Sequence, residues 1–125
     1  MADKYEEMAR QMRADGVSEK MIARFVAEEM EEDEFRRATM EVRQKAESLL
    51  SEVDSALASV GKQIDKAEKK QVKADSAELR RILMKRPGKK ERANPEEEGR
   101  RIVVAAEQLD RSSAHVRELA GQQQG

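Results

Sequence analysis

Few side chains in this chain have the types and the spacing that catalysis requires. His115 is the single histidine and there is no cysteine, so no second His or Cys can complete a metal site and thiolate chemistry is excluded. No glycine-rich loop follows a strand to hold phosphates. The many carboxylates fall on charged helical faces rather than in the buried sites typical of catalysis. We therefore expect no enzymatic activity, no metal site and no cofactor, and we expect His115 to be a surface or boundary residue.

The composition indicates the structural class of the protein. Charged residues make up 41% and hydrophobic residues 38%, with no Trp, one Tyr and two Phe. So few aromatic residues argue against a large core with a deep ligand pocket. The rest of the composition is typical of a helical bundle or coiled coil. Because no run is apolar enough to span a bilayer and the N-terminus is too polar for a signal peptide, we expect a cytoplasmic protein.

An apolar repeat at alternating four- and three-residue steps predicts one long helix. Its members are Val42, Ala46, Leu49, Val53, Ala56 and Val60. We expect Gly61 to end this helix in the left-handed conformation, and Asp65 with Glu68 to begin the next one. Similar stepping predicts a helix over 66–86, before Pro87, and another from Asn94 to Gly121. The residues expected to be buried are Val53, Val60, Leu79, Leu83, Ile102, Leu109 and Val116.

The N-terminal segment predicts two shorter helices, which meet at Asp15-Gly16, with Ser18 as the cap of the second. The second loses its apolar face in the acidic stretch 28–34, where we expect a kink or break. The predicted fold is all-α: an N-terminal helical arm, then a long helix that forms a three-helix bundle with two C-terminal helices. The predicted boundaries are 1–34 for the arm, 35–121 for the long helix and bundle, and 122–125 for a flexible tail. A basic, flexible loop is expected at 85–93.

Apolar side chains of the arm have no place in the predicted core and form a candidate interaction stripe. Its members are Met8, Met12, Met21, Ile22 and Phe25. We expect the stripe to bind a protein partner, or a second copy in a homodimer, unless the arm folds back on itself. A helix-turn-helix DNA-binding protein is an alternative interpretation of residues 16–24 with the basic segment 86–92. The acidic stretch speaks against it, since phosphates would be repelled.

Residues 40–50, Met-Glu-Val-Arg-Gln-Lys-Ala-Glu-Ser-Leu-Leu, resemble the C-terminal helical lid of the DnaK-type (seventy-kilodalton) heat-shock chaperones. Downstream, Gly61, Lys62 and Ile64 fall where that family has its Gly-Asp-Lys-Leu turn. Upstream, Gly16 and Ser18 are similar to its Gly-Leu-Ser turn before the first lid helix. The resemblance departs at Gln44, where Asn is usual, in the short segment 26–33 and in the long basic loop 85–98. It also departs at residues 1–15, which read as helix where the family has the end of its peptide-binding sandwich.

The resemblance implies a lid that covers an unfolded polypeptide held by a separate peptide-binding domain. That domain and the ATPase domain would be its partners, and ATP hydrolysis would belong to the latter. It further implies that Glu47, in the Ala-Glu-Ser-Leu stretch, is a latch that pairs with a basic residue of the sandwich. The chain would be a separate lid with a different leader or a small stand-alone relative, and the missing acidic tail favours a bacterial-type origin. The open alternative is a helical adaptor protein, in which Glu47 forms an ordinary surface pair with Arg43.

Overall fold

All of the regular secondary structure in the described residues is helical. The computed structural model describes residues 3–124, so residues 1–2 and the tail residue Gly125 lie outside the described part. The helices are α1 (Lys4–Ala14), α2 (Glu19–Val60), α3 (Lys66–Met84), α4 (Lys89–Ala93) and α5 (Pro95–Gln124), with a 3₁₀ turn at Gly61–Gln63. The predicted all-α class is therefore confirmed. Within residues 3–124, no helix combines the length and the apolar character needed to cross a membrane.

The helix starts follow the predicted caps. The Ser18 hydroxyl accepts a hydrogen bond from the Met21 N–H at 3.3 Å, and the Asp65 carboxylate accepts one from the Glu68 N–H at 2.8 Å. Asn94 Oδ1 accepts one from the Glu97 N–H at 3.4 Å. Each bond satisfies a backbone donor that has no partner inside its own helix, which is why these side chains fix helix starts.

Three helix ends differ from the prediction, and the first of them, that of α3, falls at Met84 rather than at residue 86. α2 does end at Val60, but Gly61 begins a 3₁₀ turn, and Gly16 is the described residue with the positive φ, 84°. The chain can tighten into this turn without the left-handed conformation expected of Gly61. α5 does not end at Gly121 but continues to Gln124. A glycine weakens a helix by about 1 kcal/mol relative to alanine and does not by itself end one.

The expected break in the acidic stretch is absent, because α2 is an uninterrupted helix through residues 28–34. Nearby cations offset the repulsion between the carboxylates. Lys4 Nζ lies 2.6 Å from Asp33 Oδ2, and Arg36 Nη2 lies 3.6 Å from Glu32 Oε1. Glutamate is also a good helix former, so the loss of an apolar face does not end the helix.

Contacts divide the chain into a first unit, residues 1–38, and a second unit, residues 39–125. In the first unit, α1 folds back on the start of α2. The Tyr5 hydroxyl donates a hydrogen bond to Asp33 Oδ2 at 2.7 Å, and Arg13 near the end of α1 pairs with Glu19 at the start of α2. The two helix segments are therefore antiparallel, and Ile22 is only 3% exposed.

The core of the second unit draws on three helices. One cluster of buried side chains comprises Ala46, Leu50 and Val53 of α2, Val72 and Leu79 of α3, and Ile102 and Leu109 of α5. A second comprises Ala56, Val60, Ile64 and Val116. Of the residues expected to be buried, only Leu83 is half-buried rather than buried. The pairs Glu68–His115 and Asp75–Gln108 show that α3 and α5 are antiparallel.

Hydroxyl groups interrupt this apolar core. Ser113 is fully buried, and its Oγ accepts a hydrogen bond from Arg117 Nε at 3.0 Å. Ser76 on α3 is 2% exposed, and its Oγ has no hydrogen-bond partner in the described structure. Because an unsatisfied buried hydroxyl costs about 1–3 kcal/mol, Ser76 is a weak point of the core.

Candidate interaction surfaces

The predicted latch, Glu47, is an exposed side chain of α2 in the second unit. Among the contacts described for residues 3–124, Glu47 has neither a hydrogen bond nor an ion pair. The alternative pairing with Arg43 is not formed, because the Arg43 guanidinium points elsewhere. Its Nε donates to Thr39 Oγ1 at 3.2 Å, and its Nη1 donates to the Leu83 carbonyl at 3.0 Å. The Glu47 carboxylate therefore remains accessible to a cation from another molecule.

The contact of Arg43 with Leu83 has a clear physical cause. The last carbonyls of a helix have no N–H donors within the helix, and Leu83 is the penultimate residue of α3. A guanidinium is well suited to such a carbonyl, since it carries several donors and a permanent charge. The buried Thr39, one turn before Arg43, holds the guanidinium from the other side. Sequence reasoning missed this contact, because nothing local indicates a partner forty positions away.

The candidate interaction stripe is divided by the fold of the first unit. Met21 and Phe25 are 40% and 41% exposed and lie one turn apart on α2. Met8 and Met12 on α1 are half-buried, while Ile22 is buried and does not belong to the exposed surface. The reason is that α1 folds back on α2 and covers the adjacent side of that helix. The accessible apolar surface of the stripe is thus the Met21–Phe25 pair.

The basic segment 85–93, expected to be a loop, contains the helix α4. Lys85 Nζ pairs with Glu91 Oε1 at 3.2 Å, and Arg92 Nη1 donates to the Pro87 carbonyl at 3.1 Å. Backbone N–H groups, first that of Glu91 itself, and then Lys85 hold the pKa of the Glu91 carboxyl below its usual value. These local bonds order the segment and occupy part of the positive charge that a phosphate backbone would need.

His115 links α5 to α3 through a contact with Glu68. Its Nδ1 lies 2.8 Å from both carboxylate oxygens of Glu68, and this hydrogen bond raises the pKa of the imidazole. Glu118 and Asp65 raise this pKa further, while burial lowers it. In the described part of the chain, no three His, Asp or Glu side chains come together in a way that could hold a metal ion.

The first unit also bears on the DNA-binding alternative. In a helix-turn-helix the two helices cross at about 90–120° and the second enters the major groove. Here α1 and α2 are antiparallel, with Lys4 and Tyr5 contacting Asp33 across the hairpin. The acidic residues follow on the same helix that would enter the groove. This geometry differs from that of a helix-turn-helix.

Comparison of the chain with protein-family models, curated proteins and solved structures finds no match. The described residues are all-helical in their regular structure, with an accessible carboxylate at Glu47 and an exposed apolar pair at Met21 and Phe25. The resemblance of residues 40–50 to a chaperone lid stays a prediction.

Proposed function

We propose that this chain is a lid module of the kind found in DnaK-type chaperones. In this proposal the second unit is a three-helix bundle that serves as a rigid support. The first unit contacts a polypeptide, or the domain that holds it, through Met21 and Phe25. Glu47 pairs with a basic side chain of the peptide-binding domain and keeps the lid closed.

The observation that carries the proposal is the state of Glu47. Its carboxylate is exposed and has no ion pair among the described contacts, while the neighbouring cation, Arg43, is bound to Thr39 and Leu83. An exposed carboxylate without an internal partner can pair with a cation of another molecule without first breaking an ion pair of its own. Such a pairing favours the bound state. Met21 and Phe25 support the proposal as well, since exposed large apolar side chains mark interaction surfaces.

The experiment joins this chain to the ATPase and peptide-binding domains of a DnaK-type chaperone that lacks its own lid. Release of a bound fluorescent peptide is then measured. We expect the fused chain to slow release, and Glu47→Ala to restore fast release with almost unchanged melting of the fusion. Glu41→Ala is the matched control. Glu41 is an exposed carboxylate on the same helix as Glu47, but it already pairs with Lys45.

An adaptor protein that works without chaperone domains is the second candidate, and one observation favours it. Residues 4–14, which fall where the family has the end of its sandwich, form a helix that completes the first unit by itself. Equal release rates with and without the fused chain would reject the lid and favour the adaptor. Slowed release that Glu47→Ala does not change would retain a lid but remove the latch.

A further inference from the structure

A groove between α3 and α5 in the second unit combines an apolar floor with a basic rim. Ile82, Val104 and Ala105 supply the floor, and Val104 is 65% exposed. Arg81, Lys85 and Arg101 line the rim, where each pairs with a carboxylate. Arg100 and Arg111 also line the groove and have no ion pair among the described contacts. The groove therefore offers an exposed apolar contact beside guanidinium groups that have no carboxylate partner.

The chemistry of the groove fits a polypeptide better than a nucleic acid. Glu78, Glu97 and Glu98 line the same groove but are outnumbered by its five Lys and Arg side chains, so its net charge favours an acidic occupant of either class. None of the side chains that line the groove is aromatic, so bases would find no stacking platform. A matching occupant carries carboxylates next to an apolar side chain, as an acidic helix does when it lies in a groove between two others.

The first unit of this same chain carries the complementary charge. Residues 1–38 contain eleven Asp and Glu against seven Lys and Arg, while residues 39–125 contain fifteen against eighteen. The formal charges are therefore −4 and +3. Six of the carboxylates fall within residues 28–34, and the remaining residue there, Met30, is 44% exposed.

The apolar and charged side chains are equally spaced on the acidic segment and on the groove. Glu34 follows Met30 by four positions on α2, is exposed, and has no ion pair among the contacts of the described residues. Arg100 precedes Val104 by four positions on α5. Four helical residues span about 6 Å in both cases. When Met30 lies on Val104, Glu34 can therefore reach Arg100.

We propose that copies of this chain associate head to tail, with the acidic segment 28–34 of one copy in the α3–α5 groove of the next. Such an interface joins two different surfaces, so each copy keeps one of them open for a further copy. Association should be favoured at low salt, where charges at an exposed interface are weakly screened. The Met21–Phe25 pair of the lid proposal takes no part, so the two proposals can fail independently.

Sedimentation of the whole protein over a range of concentrations tests the proposal. We expect association at about 0.01 M salt that is lost near 1 M, as the Debye length falls from about 30 Å to about 3 Å. Arg100→Glu and Glu34→Arg should each lower the association constant at least about tenfold, or about 1.4 kcal/mol. The variant that carries both changes should recover most of the association, because the pair is restored with reversed charge. All of these residues are exposed, and circular dichroism serves to check that each variant is folded.

Two matched variants make the result specific. Lys62→Glu changes the net charge of the second unit as Arg100→Glu does, but at an exposed residue outside the groove, and should leave association intact. Phe25→Ser removes the exposed apolar pair and should also leave it intact. A wild-type monomer at low salt and high concentration would overturn the proposal. So would equal losses in Lys62→Glu and Arg100→Glu, or a loss confined to Phe25→Ser.

Discussion

Replacing Arg43 with alanine tests the contact that organises the end of α3. The change removes the donor to the Leu83 carbonyl at 3.0 Å and the donor to the buried Thr39 hydroxyl. A hydrogen bond from a charged donor contributes about 1.5–3 kcal/mol, and the half-buried setting leaves the Leu83 carbonyl with limited access to water. We therefore expect Arg43→Ala to lower the free energy of unfolding by about 1.5–3 kcal/mol.

Urea unfolding followed by circular dichroism measures this loss, with three companion variants. Arg43→Lys should recover only part of it, because an ammonium lacks the planar fork that reaches both acceptors. Glu47→Ala should change the free energy of unfolding by less than about 0.5 kcal/mol, as expected for a surface site without partners. Thr39→Val combined with Arg43→Ala gives the coupling between the two side chains. A loss below about 0.5 kcal/mol for Arg43→Ala would refute the contact, and equal losses for Arg43→Ala and Glu47→Ala would restore the surface-pair interpretation.

Three further outcomes are expected. Leu79→Ala and Leu109→Ala should each cost about 2–5 kcal/mol in urea unfolding, because both side chains are fully buried, and losses below 0.5 kcal/mol would mean a misplaced core. The Glu68 carboxylate raises the pKa of His115, so the stabilising effect of this pair should be complete below about pH 6.5 and lost as pH rises through the raised pKa. His115→Gln should remove this pH dependence of the free energy of unfolding. The same pH dependence in wild type and His115→Gln would contradict the role of the pair. Duplex DNA should bind weakly and only at low salt, and a sequence-selective complex at physiological salt would contradict the proposed lid function.

Features that depend on a few neighbouring residues could be predicted from the sequence. Ser18, Asp65 and Asn94 cap helices because each side chain reaches a backbone N–H three positions ahead. The apolar repeat of α2 also identified most of its buried face. It placed Leu49 in the seam, whereas Leu50 is buried and Leu49 half-buried. A helix turns every 3.6 residues, so a strict 3.5-residue repeat drifts off the contact face.

Features that depend on distant partners could not be predicted. The acidic stretch remains helical partly because Lys4, far away in sequence, lies beside Asp33. Ile22 is buried because α1 folds back, which the spacing of apolar residues on α2 alone does not indicate. The same holds for the candidate latch: Glu47 was found through a resemblance, but its lack of an internal partner follows from where Arg43 points.

The buried hydroxyl of Ser76 offers a way to raise the free energy of unfolding of this protein by a single substitution. Ser76→Ala removes an oxygen that has no partner and adds helix propensity in the middle of α3. A gain of about 1–3 kcal/mol would move the protein away from its unfolding threshold without altering any exposed residue. Substitutions that would otherwise unfold the protein could then be studied in this background, and their effects on partners could be separated from their effects on folding.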